Sequence, residues 1–494
     1  MKKIGLLYMQ VFSLISFMCF FWIFIIAMYN TFTVSKISII IFAGCCISIF
    51  LLGKKVYNCL EKRCADNEVI FKRIWLLLWG ISIIFMMYVA WNLRASIYST
   101  WDYGRILNDA IQLAKTGDFE SQAYYARYPN NLLLLFILEK IFWIINLAVP
   151  NISAEALQSC SIILSCIFTQ LSIVFIYITI KRLWGNKKAY LSGSVLVLAA
   201  PLYLYATFAY TDTFSLPLIS GQVYFYSRFK TEQDMKKWSS LIITAILGAI
   251  GYKLKMTVVF VLIAVIIDIF IKGDIKEFIK SLLVICITAV SIIFLFSSIL
   301  LKEYKFIPEL KNQYQFPYEH WVMMSLNDGG GYNQDDVNYT LSFDTYDERR
   351  NADIDKIEER VRNMGFIGVM KHIFCEKMIR VWGTGSMGGD DYIARLPAYK
   401  NFLQPILNLN GKYHNIYYIY MQVYHLLMLF WMMYYLFTNI RIKEKGTLNV
   451  IVTSVWGLAM FLCIWECNSR YLVQMLPLMV TIMMGGIYRF LEKQ

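Results

Sequence analysis

Histidine is scarce in this chain of 494 residues. His320, His372, His414 and His425 are the only four, and none falls in a spacing such as His-Glu-x-x-His. A zinc hydrolase built on that pattern therefore has no support. Neither a Walker motif nor a dinucleotide-binding glycine signature occurs, so a nucleotide-driven pump has none either. The eleven cysteines are scattered, mostly within apolar runs, and the largest polar segment holds only Cys375. No disulfide framework can be drawn from them. Cys463 and Cys467 lie four apart on one helical stripe and read as packing rather than redox residues. Internal repeats are also missing.

What the chain does have is apolar surface: 58% of its residues are hydrophobic and 16% aromatic. That is far too apolar for a soluble domain and predicts an all-α polytopic membrane protein. A helix crossing ~30 Å of hydrocarbon needs about 20 mainly apolar residues. Such runs lie near 8–29, 36–52, 74–91, 161–180, 190–207, 213–228, 239–252, 256–271, 281–300, 415–438, 447–466 and 470–490, roughly twelve crossings by that criterion. The first follows Lys2 and Lys3, is too long for a removable signal peptide and lacks a small-residue cleavage site, so it reads as a retained anchor.

The net charge of +13 does not point to nucleic acid, because the basic residues fall in alternate loops. Lys54, Lys55, Lys62, Arg63, Lys72 and Arg73 fill one connection, and Lys181, Arg182, Lys187 and Lys188 the next. Arg228, Lys230, Lys236 and Lys237 follow, then Arg441, Lys443 and Lys445. The positive-inside rule makes these loops and both termini cytoplasmic, leaving 92–160 and 302–414 outside. The run 132–149 is as apolar as a short span, but Glu139 and Lys140 sit in its middle. Were it to cross, the basic 181–188 loop would be forced outside, so we read it as a re-entrant or interfacial helix on the outer leaflet. The chain divides accordingly into N-terminal membrane helices (1–91), a first outer loop with juxtamembrane helices (92–160), a membrane core (161–300), an outer insertion (301–414) and C-terminal membrane helices (415–494).

Within the insertion, 346-YDERRNADIDKIEERVRNMG-365 has helical spacing, with Glu358 and Arg362 four apart and Gly365 as its end. The mixed apolar and basic stretch 366–383 would lie along a membrane surface. The piece 327-NDGGGYNQDD-336 reads as a flexible loop, either a lid or a connector.

Ionisable residues collect at the outer helix ends: Asp102, Arg105 and Asp109 in 98-YSTWDYGRILNDA-110, then Arg127, Asp212, Lys253, Lys255, Glu466 and Arg470. At membrane depth such groups are costly and by default mark a pathway or a site. Each also has a plainer reading. Ser99-x-x-Asp102 matches a capping box, and Asp212 could cap the helix after it. The lone lysines and Arg470 could snorkel to phosphates, and Glu466 with Arg470 could form a local pair. Snorkelling explains neither the three acids nor Arg105, one turn after Asp102. A recess with several cations and a few carboxylates suits an anionic lipid headgroup.

The sequence resembles the GT-C superfamily of polytopic membrane glycosyltransferases, nearest the bacterial relatives of the protein O-mannosyltransferases and of the lipid A aminoarabinose transferase. The family's first outer loop carries a pattern like Asp-Glu-x-x-Arg-Tyr, to which 102-DYGRI-106 is similar in its Asp and in the basic residue three later, with Tyr103 in place of the second acid. The family's basic-Pro-Pro segment is similar to 127-RYPNN-131, with Asn130 for the second Pro. The 181–205 stretch, Tyr-Thr-Asp at 210–212, Lys253 and Ser-Arg-Tyr-Leu at 469–472 before Pro477 follow in order. The resemblance covers about 74–300 and 415–490.

The resemblance implies transfer of a sugar from a polyprenyl-phosphate donor to an extracytoplasmic acceptor hydroxyl on a glycan, lipid or protein, with inversion at the anomeric carbon. Asp102 is then the base. Arg105, Arg127, Lys253, Lys255 and Arg470 hold the donor phosphate, with Lys255 ranked last because residues two apart face different ways. Asp109, Tyr128, Asn130, Asp212, His320 and Glu466 complete the substrate site. No cofactor is expected. A divalent metal on Asp328, Asp335 and Asp336 is not expected either, since the fixed cations suffice for a monophosphate. Two rival readings use the same cations: a transporter or flippase of lipid-linked sugars, and a polysaccharide polymerase.

Overall fold

The structure is a computed structural model and describes residues 2–99, 101–272, 274–442 and 446–493. Lys443 and Lys445 lie outside the described residues. In chain order the α-helices are α1 (Lys2–Val34), α2 (Lys36–Asp66), α3 (Glu68–Asn92), α4 (Asp102–Thr116), α5 (Gln122–Arg127), α6 (Leu132–Ala148), α7 (Ala154–Trp184), α8 (Asn186–Leu196), α9 (Ala200–Tyr205), α10 (Thr211–Thr231), α11 (Asp234–Leu254), α12 (Val259–Ile271) and α13 (Ile275–Glu303). The insertion contributes α14 (Phe306–Tyr314), α15 (Tyr318–Ser325), α16 (Gln334–Leu341), α17 (Tyr346–Lys371), α18 (Lys377–Trp382), α19 (Gly389–Ala394) and α20 (Gln404–Leu407). The chain closes with α21 (His414–Ile442), α22 (Thr447–Ile464) and α23 (Leu476–Lys493).

Helices dominate because lipid cannot satisfy backbone polar groups, and a helix satisfies its own. Among the described residues, nine helices are long and apolar enough to cross a membrane. The chain is a multi-pass membrane protein. Most side chains of α10, α22 and α23 are buried, whereas α2 and α13 keep most of theirs exposed. The nine do not include the expected spans 190–207, 213–228, 239–252 and 256–271. The first of these is not one helix at all: the chain leaves α8 at Leu196 and restarts as α9, with Pro201 in its first turn. Proline lacks the N–H that a continuing helix would need.

Hydrogen bonds tie the turns into two ends. At one end Asn186 bonds Glu68, Arg182 bonds Thr231 at 2.6 Å, Lys188 pairs with Glu492 and Lys237 pairs with Glu277. Asn439, late in α21, reaches Ser13, early in α1. The basic loops 54–73, 181–188 and 228–237 thus share an end. At the other end Gln158, in the first turn or so of α7, donates to Ala95 O just past α3 at 2.8 Å. The path from α3 through α6 to α7 therefore starts and finishes at the same end. Lys140, midway along α6, pairs with Glu303, the last residue of α13, which sets the middle of α6 at the tip of α13 rather than alongside it. By length and composition α6 is nevertheless one of the nine.

The insertion departs from its reading in one place. Phe366, Ile367 and Phe374 expose the first part of the stretch 366–383. Beyond it Lys377 and Trp382 are each 1% exposed, and Lys377 donates to the carbonyls of Cys463 and Trp465. The second part is plugged into the bundle, not laid along a surface. Gly365 does break the helix, with φ of +62°.

Candidate functional site

The site sits at the end of the bundle where α4 begins. The chain folds back tightly between Ser99 and Gly104, so tightly that a Cβ at Gly104 would fall 2.1 Å from the Ser99 carbonyl oxygen. Only glycine fits there, and the turn presents Asp102 as the first residue of α4. Trp101 holds the cap position and no side chain caps the helix. The capping-box reading of Ser99 and Asp102 is thus corrected: the Asp102 carboxylate is taken up elsewhere. Tyr124 OH donates to its Oδ1 at 2.8 Å and Tyr210 OH to its Oδ2 at 3.0 Å. Asn131 Nδ2 in turn donates to Tyr124 OH at 2.7 Å. Burial and the Asp102 charge push both phenols well above their ordinary range, so both remain donors. Each carboxylate oxygen keeps a lone pair, and Asp102 is only half-buried.

Beside Asp102 the guanidinium of Arg105 lies 4.9 Å from the Tyr124 ring centre and is exposed. Arg127 lies 5.5 Å from the Phe316 ring centre. Neither enters an ion pair among the described residues. The loop 327–336 reaches the same place. The Tyr332 phenol is raised by burial and by the charges of Asp102 and Glu466, against Arg127 and Arg105. The loop is pinned rather than free: Gly330 O accepts from Cys467 N at 2.8 Å, and Asn327 bonds Asp336. Asp336 is committed to Arg360.

Beyond the Tyr210 ring lies a closed charge cluster. Asp212 pairs with Lys255 and, at 3.3 Å, with Arg470. No side chain caps α10, so the cap reading of Asp212 is corrected as well. Arg470 is ringed by Tyr392, Tyr210, Tyr471 and Trp101, with ring centres between 5.0 and 5.7 Å away. The residue sits in a 3₁₀ turn, Ser469–Met475, opened by the Asn468 side chain accepting from Arg470 N at 3.0 Å. Glu466 does not pair with Arg470. Its carboxylate accepts from Tyr471 OH at 2.6 Å, and burial raises its pKa.

The two lysines are reversed relative to expectation. Lys255 is the one in the cluster, because α11 ends at Leu254 and Lys255 adopts an extended backbone that turns it towards Asp212. Lys253 faces α13 and donates to Ser297 Oγ at 3.2 Å. Asp109 is buried behind Asp102 against Tyr125 OH at 2.9 Å, its pKa raised by burial. Tyr128 packs on Tyr124 and Phe316, and Asn130 is exposed, bonded only to Asn131. His320 is fully buried behind Phe316, 4.0 Å between ring centres, with Nδ1 on Thr340, and burial drops its pKa to about 3. It is a neutral, buried packing residue.

Sequence reasoning missed Tyr124, Tyr210, Asn131, Tyr392 and Arg380. Arg380 is exposed and its guanidinium fills the space beside Gly331, where a Cβ would meet it at 2.1 Å. The Gly329–Gly331 run was the readable signal, a backbone kept bare for a neighbour. Among the described residues no group of three or more His, Cys, Asp or Glu is placed to hold a metal ion.

The chain is similar in structure to the archaeal oligosaccharyltransferase AglB from Archaeoglobus fulgidus, solved with an inhibitory peptide and a dolichol-phosphate. The two share 12% identity over 86% of this chain and 52% of that one, with a TM-score of 0.45. This chain therefore spans about half the length of that protein. It is also similar to ArnT from Cupriavidus metallidurans bound to undecaprenyl phosphate, at 13% identity over 84% of this chain and 77% of that one, with a TM-score of 0.36. No curated protein matches the sequence. A family model described as a conserved hypothetical integral membrane protein matches residues 4–487, and the chain belongs to that family.

Proposed function

We propose that this protein is a GT-C-like glycosyltransferase that moves a sugar from a polyprenyl-phosphate donor to an extracytoplasmic hydroxyl, with a cell-envelope glycan as acceptor. The observation that carries the reading is a half-exposed carboxylate, Asp102, at the same end of the bundle as two guanidiniums, Arg105 and Arg127, that enter no ion pair among the described residues. A sugar hydroxyl is a poor nucleophile until a base within hydrogen-bond reach takes its proton. Asp102 accepts that proton as the hydroxyl oxygen bonds to the anomeric carbon. The bond from that carbon to the phosphate oxygen breaks, and polyprenyl phosphate leaves with the electron pair. Charge gathers on the departing phosphate, so guanidiniums beside it favour the transition state over the ground state. Arg105 and Arg127 take that role, with Arg380 as a third. Arg470 and Lys255, which share the single charge of Asp212, support the site rather than bind the donor alone.

A lipid-linked-sugar transporter or a polymerase would use the same cations. Wild type and Asp102→Asn in proteoliposomes, given labelled polyprenyl-phosphate sugars and an envelope extract, separate these readings. Label leaving the lipid for a new product with wild type alone supports transfer. Label that only changes leaflet, equally for both proteins, overturns it in favour of translocation.

A further inference from the structure

His372 is buried, 3% exposed, in the π turn His372–Glu376 that joins α17 to α18. Both of its ring nitrogens are taken. Nε2 lies 2.8 Å from the carbonyl oxygen of Ser325, and Nδ1 lies 2.9 Å from Glu376 Oε2. Neither partner has a hydrogen to give: a carbonyl carries none, and the bond from His372 holds the Glu376 carboxyl below its ordinary range. A neutral imidazole has one N–H and one lone pair. In this setting its lone pair would face an oxygen lone pair, so the two contacts call for both ring protons, the imidazolium.

The position of that cation is also informative. Ser325 is the last residue of α15, and no backbone N–H among the described residues reaches its carbonyl. It is one of the orphan acceptors of a helix C-terminus, where positive charge is favoured. The Ser325 hydroxyl donates at 2.8 Å to the carbonyl of Ile464, the last residue of α22. Gly330 packs so closely that a Cβ there would meet Ser325 O at 2.9 Å, and its own carbonyl accepts from Cys467 N. His372 thus sits where α15, the loop 327–336 and the end of α22 meet. The π turn packs against α17, α18, α22 and the turn Asp328–Gly330. The charged and titratable groups brought there are Lys371 at the end of α17, Lys377 and Arg380 of α18, Cys463 of α22 and Asp328. The last turn of α15 carries no charge. Lys377 is committed to the carbonyls of Cys463 and Trp465, and Glu466, just past α22, to Tyr471. Lys371 reaches Glu376 at 3.6 Å.

We propose that His372 is a pH-operated latch: as an imidazolium it ties the π turn, through Glu376, to the end of α15, and on losing a proton it releases Glu376 while keeping the bond to Ser325. Glu376 is the arm that opens, because its side chain is 42% exposed and has water and Lys371 to turn to, whereas Ser325 is 1% exposed. The latch is closed at low pH and opens as pH rises, the direction for a histidine that gains partners on folding. The proposal does not depend on the glycosyltransferase reading.

The chain has four histidines, so nitrogen-15 labelling of histidine in the full-length protein in nanodiscs lets each ring be followed by NMR, with His372→Gln identifying its signal. His372 is expected to show two protonated nitrogens at about pH 5 and one, Nε2, at about pH 8. His320, whose pKa burial drops to about 3, stays neutral throughout as the reference. Over the same range amide exchange in 373–377, corrected for intrinsic rates, should speed up roughly tenfold, the loss of one charge-assisted hydrogen bond. Glu376→Gln should abolish that step and keep the fold, because an amide can accept from the imidazolium or donate to the neutral ring. A neutral His372 ring at about pH 5 overturns the proposal. A ring that stays doubly protonated throughout overturns it too, as a fixed strut rather than a latch, and so does an exchange step that survives in Glu376→Gln.

Discussion

Asp102 and Asp268 are carboxylates at opposite ends of one bundle, and their surroundings differ in what they leave undone. Asp268 is 2% exposed and accepts from four donors: Tyr226 OH at 2.6 Å, Lys230 Nζ at 3.1 Å, Gly446 N at 2.9 Å and Asn449 Nδ2 at 3.2 Å. It joins α10, α12 and α22 and has no capacity left. Asp102 accepts from two tyrosines and is half-open. A buried charge must be fully paired to be tolerated, so a carboxylate that is held in place yet left with free lone pairs is the one available for chemistry.

The sharpest way to break this contrast is to neutralise each acid. Asp102→Asn keeps the shape and removes the proposed base, and turnover should fall by about 10²–10⁴ with the thermal midpoint unchanged. Turnover equal to wild type would make Asp102 a structural residue like Asp268. The converse is Asp268→Ala, which strands Lys230 and three neutral donors. It should destabilise the protein by roughly 3–5 kcal/mol, seen as a lower unfolding midpoint in a lipid-matched scan, while turnover per folded molecule holds.

Between these lies a smaller effect. Tyr124→Phe and Tyr210→Phe each delete one hydrogen bond to Asp102, worth about 1.5–3 kcal/mol for a charged acceptor in general. Part of that is regained from water at a half-exposed site, so turnover should drop by roughly tenfold in each. A drop only in Tyr210→Phe would show that Arg470, which the Tyr210 ring contacts, matters more than the orientation of Asp102.

The same contrast explains what could be read from the chain. Apolar length and alternating basic loops made the all-helical membrane architecture and the grouping of the basic helix ends legible, because both rest on local composition, but not the number of spans. Asp102, Arg105 and Arg127 stood out as candidates because charged residues at helix mouths are costly. The lysine order was not: Lys253 and Lys255 differ by whether α11 stops at Leu254, a boundary set by packing on α10 and α12 rather than by residue type. Nor were Tyr124 and Tyr210 visible as partners of Asp102. In a chain with 34 tyrosines, only the fold says which two meet one carboxylate. His320 misled for the reverse reason, since a histidine in an outer loop reads as chemistry until Phe316 is seen covering it.

A third acid tests the same principle outside the membrane body. Asp353 in α17 is fully buried, takes one bond from Thr340 Oγ1 at 2.7 Å, and leaves its other oxygen without a partner. Burial raises its pKa from an ordinary 3.8 to about 7, with Thr340 opposing. An acid whose folded pKa is raised stabilises the fold while protonated. Its contribution is complete below about pH 4 and is lost as pH rises through 7. Hydrogen exchange of α16 and α17 should therefore be slower at pH 5 than at pH 8 after correction for intrinsic rates, and Asp353→Asn should flatten the difference. The effect should stay within the insertion, because Asp353 touches none of the helices that frame Asp102. A pH dependence of exchange that survived in the Asn variant would remove Asp353 as its source.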